Sequence, residues 1–174
     1  MRFFAAARTD GVASVRQPNL AESLICIEIS ATVSAEEAAT MLYKLGKAFS
    51  MDGLSGNEPQ RISNAASKLI CLLLDDGSSS IKRIGQLDGR QLSQSAWALF
   101  QVHTYCKSPE VRQLDLAIAD RALQVSPEGA EGCRSWSGVL YNLAKSGISC
   151  GSSKEVQQLF TVAVSPPTHS ESLS

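Results

Sequence analysis

Four segments of this chain repeat one apolar pattern at helical spacing, and a helix that repeats its apolar stripe in this way needs neighbours of its own kind to cover it. The clearest copies are LSQSAWALFQVH, from Leu92 to His103, and ISNAASKLICLL, from Ile62 to Leu73. Superposed, they place Ile62 on Leu92, Ala66 on Ala96, Leu69 on Leu99, Ile70 on Phe100 and Leu72 on Val102. The register extends upstream to Ala35, Ala39, Leu42, Tyr43 and Leu45, and downstream to Cys133, Ser137, Leu140, Tyr141 and Leu143. Recurrence at these intervals is what stacked helical hairpins produce, because only the neighbouring units can bury each apolar face. The predicted fold is therefore all-α, an α-solenoid of about four stacked helical hairpins in a right-handed stack.

Start and stop signals divide the chain accordingly. Ser34 with Glu37 forms a capping box, which predicts a helix from about Ala35 to Phe49. Asn57 is placed to cap the next helix, with Pro59 in its first turn and a stripe of Ile62, Ala66, Leu69, Ile70 and Leu73 running to Asp75. Asp88 before Gly89 is the cap expected for the third copy of the pattern. Ser108 and Pro109 open its partner helix, with Leu114, Ala117, Ile118, Ala122 and Val125 as the apolar stripe and the SPEGAEG loop beyond. A fourth copy spans about Gly132 to Ser146 with Gly147 as its stop, and Ser152 with Glu155 caps a last helix that Pro166 and Pro167 end. Residues 19–165 read as one helical-repeat domain, and 166–174 as a disordered tail. In NLAESLICIEIS the alternation of Ile25, Ile27 and Ile29 leaves helix and strand both open for residues 19–32.

A length of 174 residues suits one domain, and a formal charge of −1 excludes a global basic field that would draw nucleic acid to the whole surface. The longest apolar stretch, Leu69 to Leu74, falls far short of the ~20 residues that cross a bilayer, so no membrane insertion is expected. The five cysteines, at 26, 71, 106, 133 and 150, lack any C-x-x-C pair and read as small core residues of a reducing compartment. With only His103 and His169 present, no Cys/His zinc cluster of the usual spacing can be built, and no metal or other cofactor is expected. Residues 1–18 carry Arg2, Arg8 and Arg16 against Asp10 alone, the composition of an organelle transit peptide or else of a plain disordered tail. Mitochondrial matrix is the expected location, with plastid or cytoplasm as alternatives.

Nothing in the chain reads as a catalytic site: there is no nucleophile–base pair, metal set or glycine-rich phosphate loop. Trp97 and Trp136 stand beside the core stripe, where large rings fill the groove between helices. His103 ends a helix without a partner for base catalysis, and Asp75 with Asp76 reads as a solvated helix end.

The polar face of the repeated helix offers more. The register puts Glu37, Asn64, Gln94 and Ser135 at one equivalent position and Lys44, Cys71, Gln101 and Asn142 at another, seven residues on and hence on the same side. In repeat proteins that read single-stranded RNA, such amides and hydroxyls meet the edges of successive bases. A merely wetted helix face prefers the same residue types. Basic residues including Lys44, Lys47, Arg61, Lys68, Lys82, Arg83 and Arg90 are available for phosphates.

LSQSAWALFQVH, with Leu92, Ser93, Ala96, Trp97, Ala98 and Leu99, and VLYNLAKSGI, with Leu140, Leu143, Ala144, Lys145 and Gly147, resemble the helical repeats of FAST-kinase-like proteins. These are also called heptatricopeptide or RAP-type proteins, and the RAP domain itself has no evident counterpart here. The resemblance covers about residues 35–160 and implies an organellar, non-catalytic module that binds single-stranded RNA and supports its processing, stability or assembly into ribonucleoprotein. The RNA-binding candidates are then Lys44, Arg61, Asn64, Lys68, Arg90, Gln94, Gln101 and Asn142. The alternative is a protein–protein adaptor or structural subunit of a larger organellar assembly, such as a mitochondrial ribosome, without RNA contact of its own.

Overall fold

The computed structural model describes residues 33–50, 58–75, 83–125 and 129–164. Among them are six α-helices and no strand: α1 (Ala35–Ser50), α2 (Glu58–Leu74), α3 (Gly89–His103), α4 (Pro109–Gln124), α5 (Gly129–Lys145) and α6 (Lys154–Val164). A single 3-10 turn, η1 (Arg83–Gln86), lies between α2 and α3. The expectations for residues 1–32, for Asn57 and for residues 166–174 lie outside the described residues.

Local chemistry sets most helix ends. At α1, Glu37 N–H donates to Ser34 Oγ (3.2 Å) while Ser34 N–H donates to Glu37 Oε2 (3.0 Å), the reciprocal box read from the sequence. These bonds to the ionised carboxylate hold the Glu37 pKa below its ordinary value, first through the backbone amide and then through the hydroxyl. Asp88 and Gln91 make a second such box at α3 (2.7 and 2.9 Å). Ser108 is extended before Pro109, as the residue preceding a proline must be, and α4 begins there. Gly147 ends α5 at φ +78°, with Ile148 N–H donating to Leu143 O and Gly147 N–H to Ala144 O, a Schellman ending. At α6 the cap is Ser153, whose Oγ accepts from Val156 N–H (3.2 Å). Ser152 instead accepts from Ser149 N–H within the turn. The expected Ser152 cap is therefore one residue early, because the turn closes on Ser149 before the helix begins.

The helices form two rows. α1 packs along α3 and α3 along α5, while α2, α4 and α6 pack in sequence behind them, each helix also meeting its hairpin partner. The described chain thus contains three hairpins. This corrects the pairing of Ile62 with Leu92: α2, which carries Ile62, stands in the second row, whereas α3 stands in the first. The stripe Ile62, Ala66, Leu69, Ile70, Leu73 is wholly buried as expected. An apolar stripe states only that a helix has a covered face, however, and the same stripe serves either row. The starts of α1, α3 and α5, at 35, 89 and 129, are also unevenly spaced.

Leucines and isoleucines fill the space between rows: Leu42, Leu45, Leu69, Ile70, Leu92, Leu99, Leu114, Ile118 and Leu143 are all essentially inaccessible. Each such side chain contributes roughly 1.5–3 kcal/mol by leaving water. Of the cysteines described, only Cys106 is buried, against Ser67 Oγ (3.1 Å); Cys71, Cys133 and Cys150 are exposed, contrary to their reading as core residues. Cys71 and Cys133 lie on their helices outside the buried stripe, and Cys150 lies in the turn between α5 and α6. Trp136 is buried and donates from Nε1 to Val125 O (3.1 Å), fastening α5 to the end of α4, in keeping with its expected packing role. The 3-10 turn is held by side chains reaching backbone: Arg83 donates to Val33 O (2.7 Å), and Arg121 donates to Leu87 O (3.3 Å) just beyond it.

Within the first row the helices approach closely at small residues. A Cβ on Gly46 of α1 would lie 2.9 Å from the Ala98 Cα and 3.0 Å from its Cβ on α3, inside normal contact. A Cβ on Gly138 of α5 would overlap the Ser93 hydroxyl of α3. The two sites differ in what must yield, a neighbouring backbone in one case and a rotatable hydroxyl in the other. Alanine at Gly46 should therefore cost about 1–3 kcal/mol through overpacking, outweighing the ~1 kcal/mol by which alanine favours an open helix. Gly138→Ala should cost less than half as much. Urea unfolding midpoints of the two variants measure the contrast.

Candidate nucleic-acid interface

The outward side of the first row carries two shallow grooves. One, about 560 Å³, runs between α1 and α3 and is lined by Thr40, Tyr43, Lys44, Lys47, Asp88, Arg90, Gln91 and Gln94. The other, about 300 Å³, lies between α3 and α5 and is lined by Arg90, Ser93, Gln94, Arg134 and Ser135. Arg90 and Gln94 belong to both, so the grooves meet on α3. Among the described residues, four cations, Lys44, Lys47, Arg90 and Arg134, and the Asp88 carboxylate line these grooves. A protein with a formal charge of −1 therefore gathers a local basic strip on one face.

Helix geometry explains the gathering. Tyr43, Lys44 and Lys47 lie within one turn of α1, on the side opposite Leu42 and Leu45, which face the core. Arg90 and Gln94 are four residues apart on α3 and so project together. The Tyr43 ring tilts against Trp97 at 5.2 Å between centroids, and Lys47 Nζ sits 4.9 Å from the centre of the same ring. Tyr43 thus lines the first groove, while its partner Trp97 meets the Gly46 crossing.

The eight candidates separate by row. Lys44, Arg90 and Gln94 come together on the basic strip, and Gln101 lies half-buried farther along α3. Arg61, Asn64 and Lys68 are exposed on α2, in the other row, where Asn64 accepts from Gln60 Nε2 (3.0 Å). Asn142 is buried and donates to Gly138 O (2.7 Å), so its amide serves its own helix rather than an outer surface. Among the equivalent positions, Gln94 and Ser135 do meet in one groove, whereas Glu37 is occupied in its capping box and Cys71 lines a pocket between α2 and α4. Arg83 is engaged by Val33 O. Sequence reasoning missed Arg134; its signal was one residue away, in the equivalence of Ser135 with Gln94.

It also missed Asp115. This α4 carboxylate is buried at 2% exposure with Oδ1 lacking any hydrogen-bond partner, and burial raises its pKa from 3.8 to about 7 despite the opposing pull of Arg112. Its phase betrays it, since Val111, Asp115, Ala119 and Ala122 fall on one buried side of α4. No cluster of three or more His, Cys, Asp or Glu residues suited to a metal ion occurs among the described residues, and none of their helices is long and apolar enough to cross a membrane.

No protein-family model, curated protein or solved structure matches this chain.

Asp115 generates a pH prediction. The folded carboxyl keeps its proton up to about pH 7 while the unfolded one loses it near 3.8, so the native state binds more protons across that window. Stability should fall as pH rises from about 4 to 7 and level off above. Asp115→Asn should match the parent near pH 4 and exceed it at pH 8 by on the order of 2–4 kcal/mol, measured by denaturant unfolding at the two pH values.

Proposed function

We propose that this chain is a non-catalytic helical-repeat module, a segment of α-solenoid, that binds single-stranded RNA along the outward side of α1, α3 and α5. The observation that carries this reading is the strip of Lys44, Lys47, Arg90 and Arg134 along two joined grooves, with amides and hydroxyls of Gln91, Gln94, Ser93 and Ser135 between the charges. Cations there neutralise phosphates, and neutral donors and acceptors meet base edges. The likeness of LSQSAWALFQVH to FAST-kinase-like repeats supports the same reading. It also suggests an organellar setting, the mitochondrial matrix first, with a role in RNA processing or ribonucleoprotein assembly. Lys44, Arg90 and Gln94 are the principal contacts in this reading. Arg61, Asn64 and Lys68, on the second row, are peripheral to it.

One observation favours the adaptor reading instead. The last hairpin leaves Tyr141 on α5 and Val162 and Val164 on α6 exposed, apolar surface of the kind that packs against a partner protein.

Titration of the full-length protein with labelled single-stranded RNA across a salt series separates the two. Saturable binding that weakens with salt is expected, with Lys44→Ala and Arg90→Ala each lowering affinity and reducing the salt slope by about 1. Lys68→Ala should leave both nearly unchanged. Absence of binding at low salt contradicts the reading and leaves the adaptor in front; loss through Lys68 rather than Arg90 would move the RNA to the second row and contradict the assigned strip.

A further inference from the structure

The smaller of the two grooves has a composition of its own. Its volume is about 300 Å³, and among the described residues its lining is two guanidiniums, Arg90 and Arg134, two hydroxyls, Ser93 and Ser135, and the Gln94 amide. Neither arginine has an ion-pair partner among the described residues. Close packing builds the pocket: the first residue of α3, Gly89, lies so near α5 that a Cβ there would stand 3.3 Å from Ser135 Cβ, and Gly138 brings the α5 backbone against Ser93. The N-terminal turn of α3 therefore borders the pocket. Asp88, which caps that turn, lines the neighbouring groove rather than this one.

Two guanidiniums lining one pocket exceed what a single phosphodiester needs. A diester carries one negative charge, whereas a terminal phosphate carries about −1.5 to −2 near pH 7 and offers three acceptor oxygens to forked donors. We propose that the α3–α5 pocket is a phosphomonoester site, in which Arg90 and Arg134 hold the terminal phosphate of an RNA strand whose following nucleotides lie in the α1–α3 groove. Ser93, Ser135 and Gln94 supply neutral donors to the same group. This inference rests on the RNA reading of the face and makes it specific: the protein recognises a strand end as well as a strand. The shared lining of Arg90 and Gln94 joins the phosphate pocket to the groove that takes the rest of the chain.

The test compares one single-stranded oligonucleotide carrying a terminal phosphate, at either end in turn, with the same oligonucleotide ending in hydroxyls, by fluorescence anisotropy on the full-length protein. One phosphorylated form should bind roughly tenfold more tightly than the hydroxyl form. In Arg134→Gln that ratio should fall to about one, while Lys44→Gln should weaken both forms alike and preserve it. Circular dichroism confirms that the variants remain helical. Equal affinities for phosphate and hydroxyl ends in the parent protein would overturn the phosphomonoester site and leave RNA binding standing. Failure of every oligonucleotide to bind would overturn both. Inorganic phosphate should compete only weakly with the phosphorylated strand; if it displaced that strand completely, the pocket would belong to a free phosphate and the proposal would fall.

Discussion

The close approach of α1, α3 and α5 is the constraint on which the rest of the structure depends. Helices ordinarily pack with axes roughly 8–10 Å apart, and only small residues at the crossing permit the near end of that range. Gly46 against Ala98 and Gly138 against Ser93 provide them here. With the first row drawn together, Leu42, Leu45, Leu92, Leu99 and Leu143 are pressed towards the second, where α2 and α4 cover them. Burial of those side chains supplies the bulk of the driving force, but the small residues decide which helices become neighbours.

The same packing shapes the outer surface. Helices that lie close leave shallow grooves rather than deep clefts, so side chains from adjacent helices line a common strip. Lys44 and Lys47 from α1, Arg90 and Gln94 from α3, and Arg134 and Ser135 from α5 meet in this way although the sequence separates them widely. A shallow polar strip in which cations outnumber carboxylates among the described residues suits an extended anionic ligand better than a small apolar one. Asp115 belongs to the opposite side of the account: this buried α4 carboxylate, its pKa raised by burial, lies away from the strip.

Helix chemistry was legible in the sequence because it is local. Ser34 with Glu37, Asp88, Pro109 and Gly147 each act within one turn of their own chain, and the structure has them where the sequence implied. Row membership was not legible, because the stripes of α2 and α3 are alike and nothing in Ile62 or Leu92 says which partner will cover it. That ambiguity carried into the site: Lys44, Arg90 and Gln94 fell together, whereas Arg61, Asn64 and Lys68 went to the other row with α2, and Asn142 turned inward. Gly46 and Gly138 were silent for a related reason. A glycine within a helix looks like a weakness until the neighbouring backbone that requires it is in place.

Photo-crosslinking tests the central claim most directly, since it reports position rather than affinity. Full-length protein bound to 4-thiouridine-substituted single-stranded RNA is irradiated, digested and mapped by mass spectrometry. The account predicts adducts on the outward side of α1, α3 and α5, around Tyr43, Gln94 and Ser135. Adducts confined to α2 and α4, around Lys68 or Gln113, would contradict it.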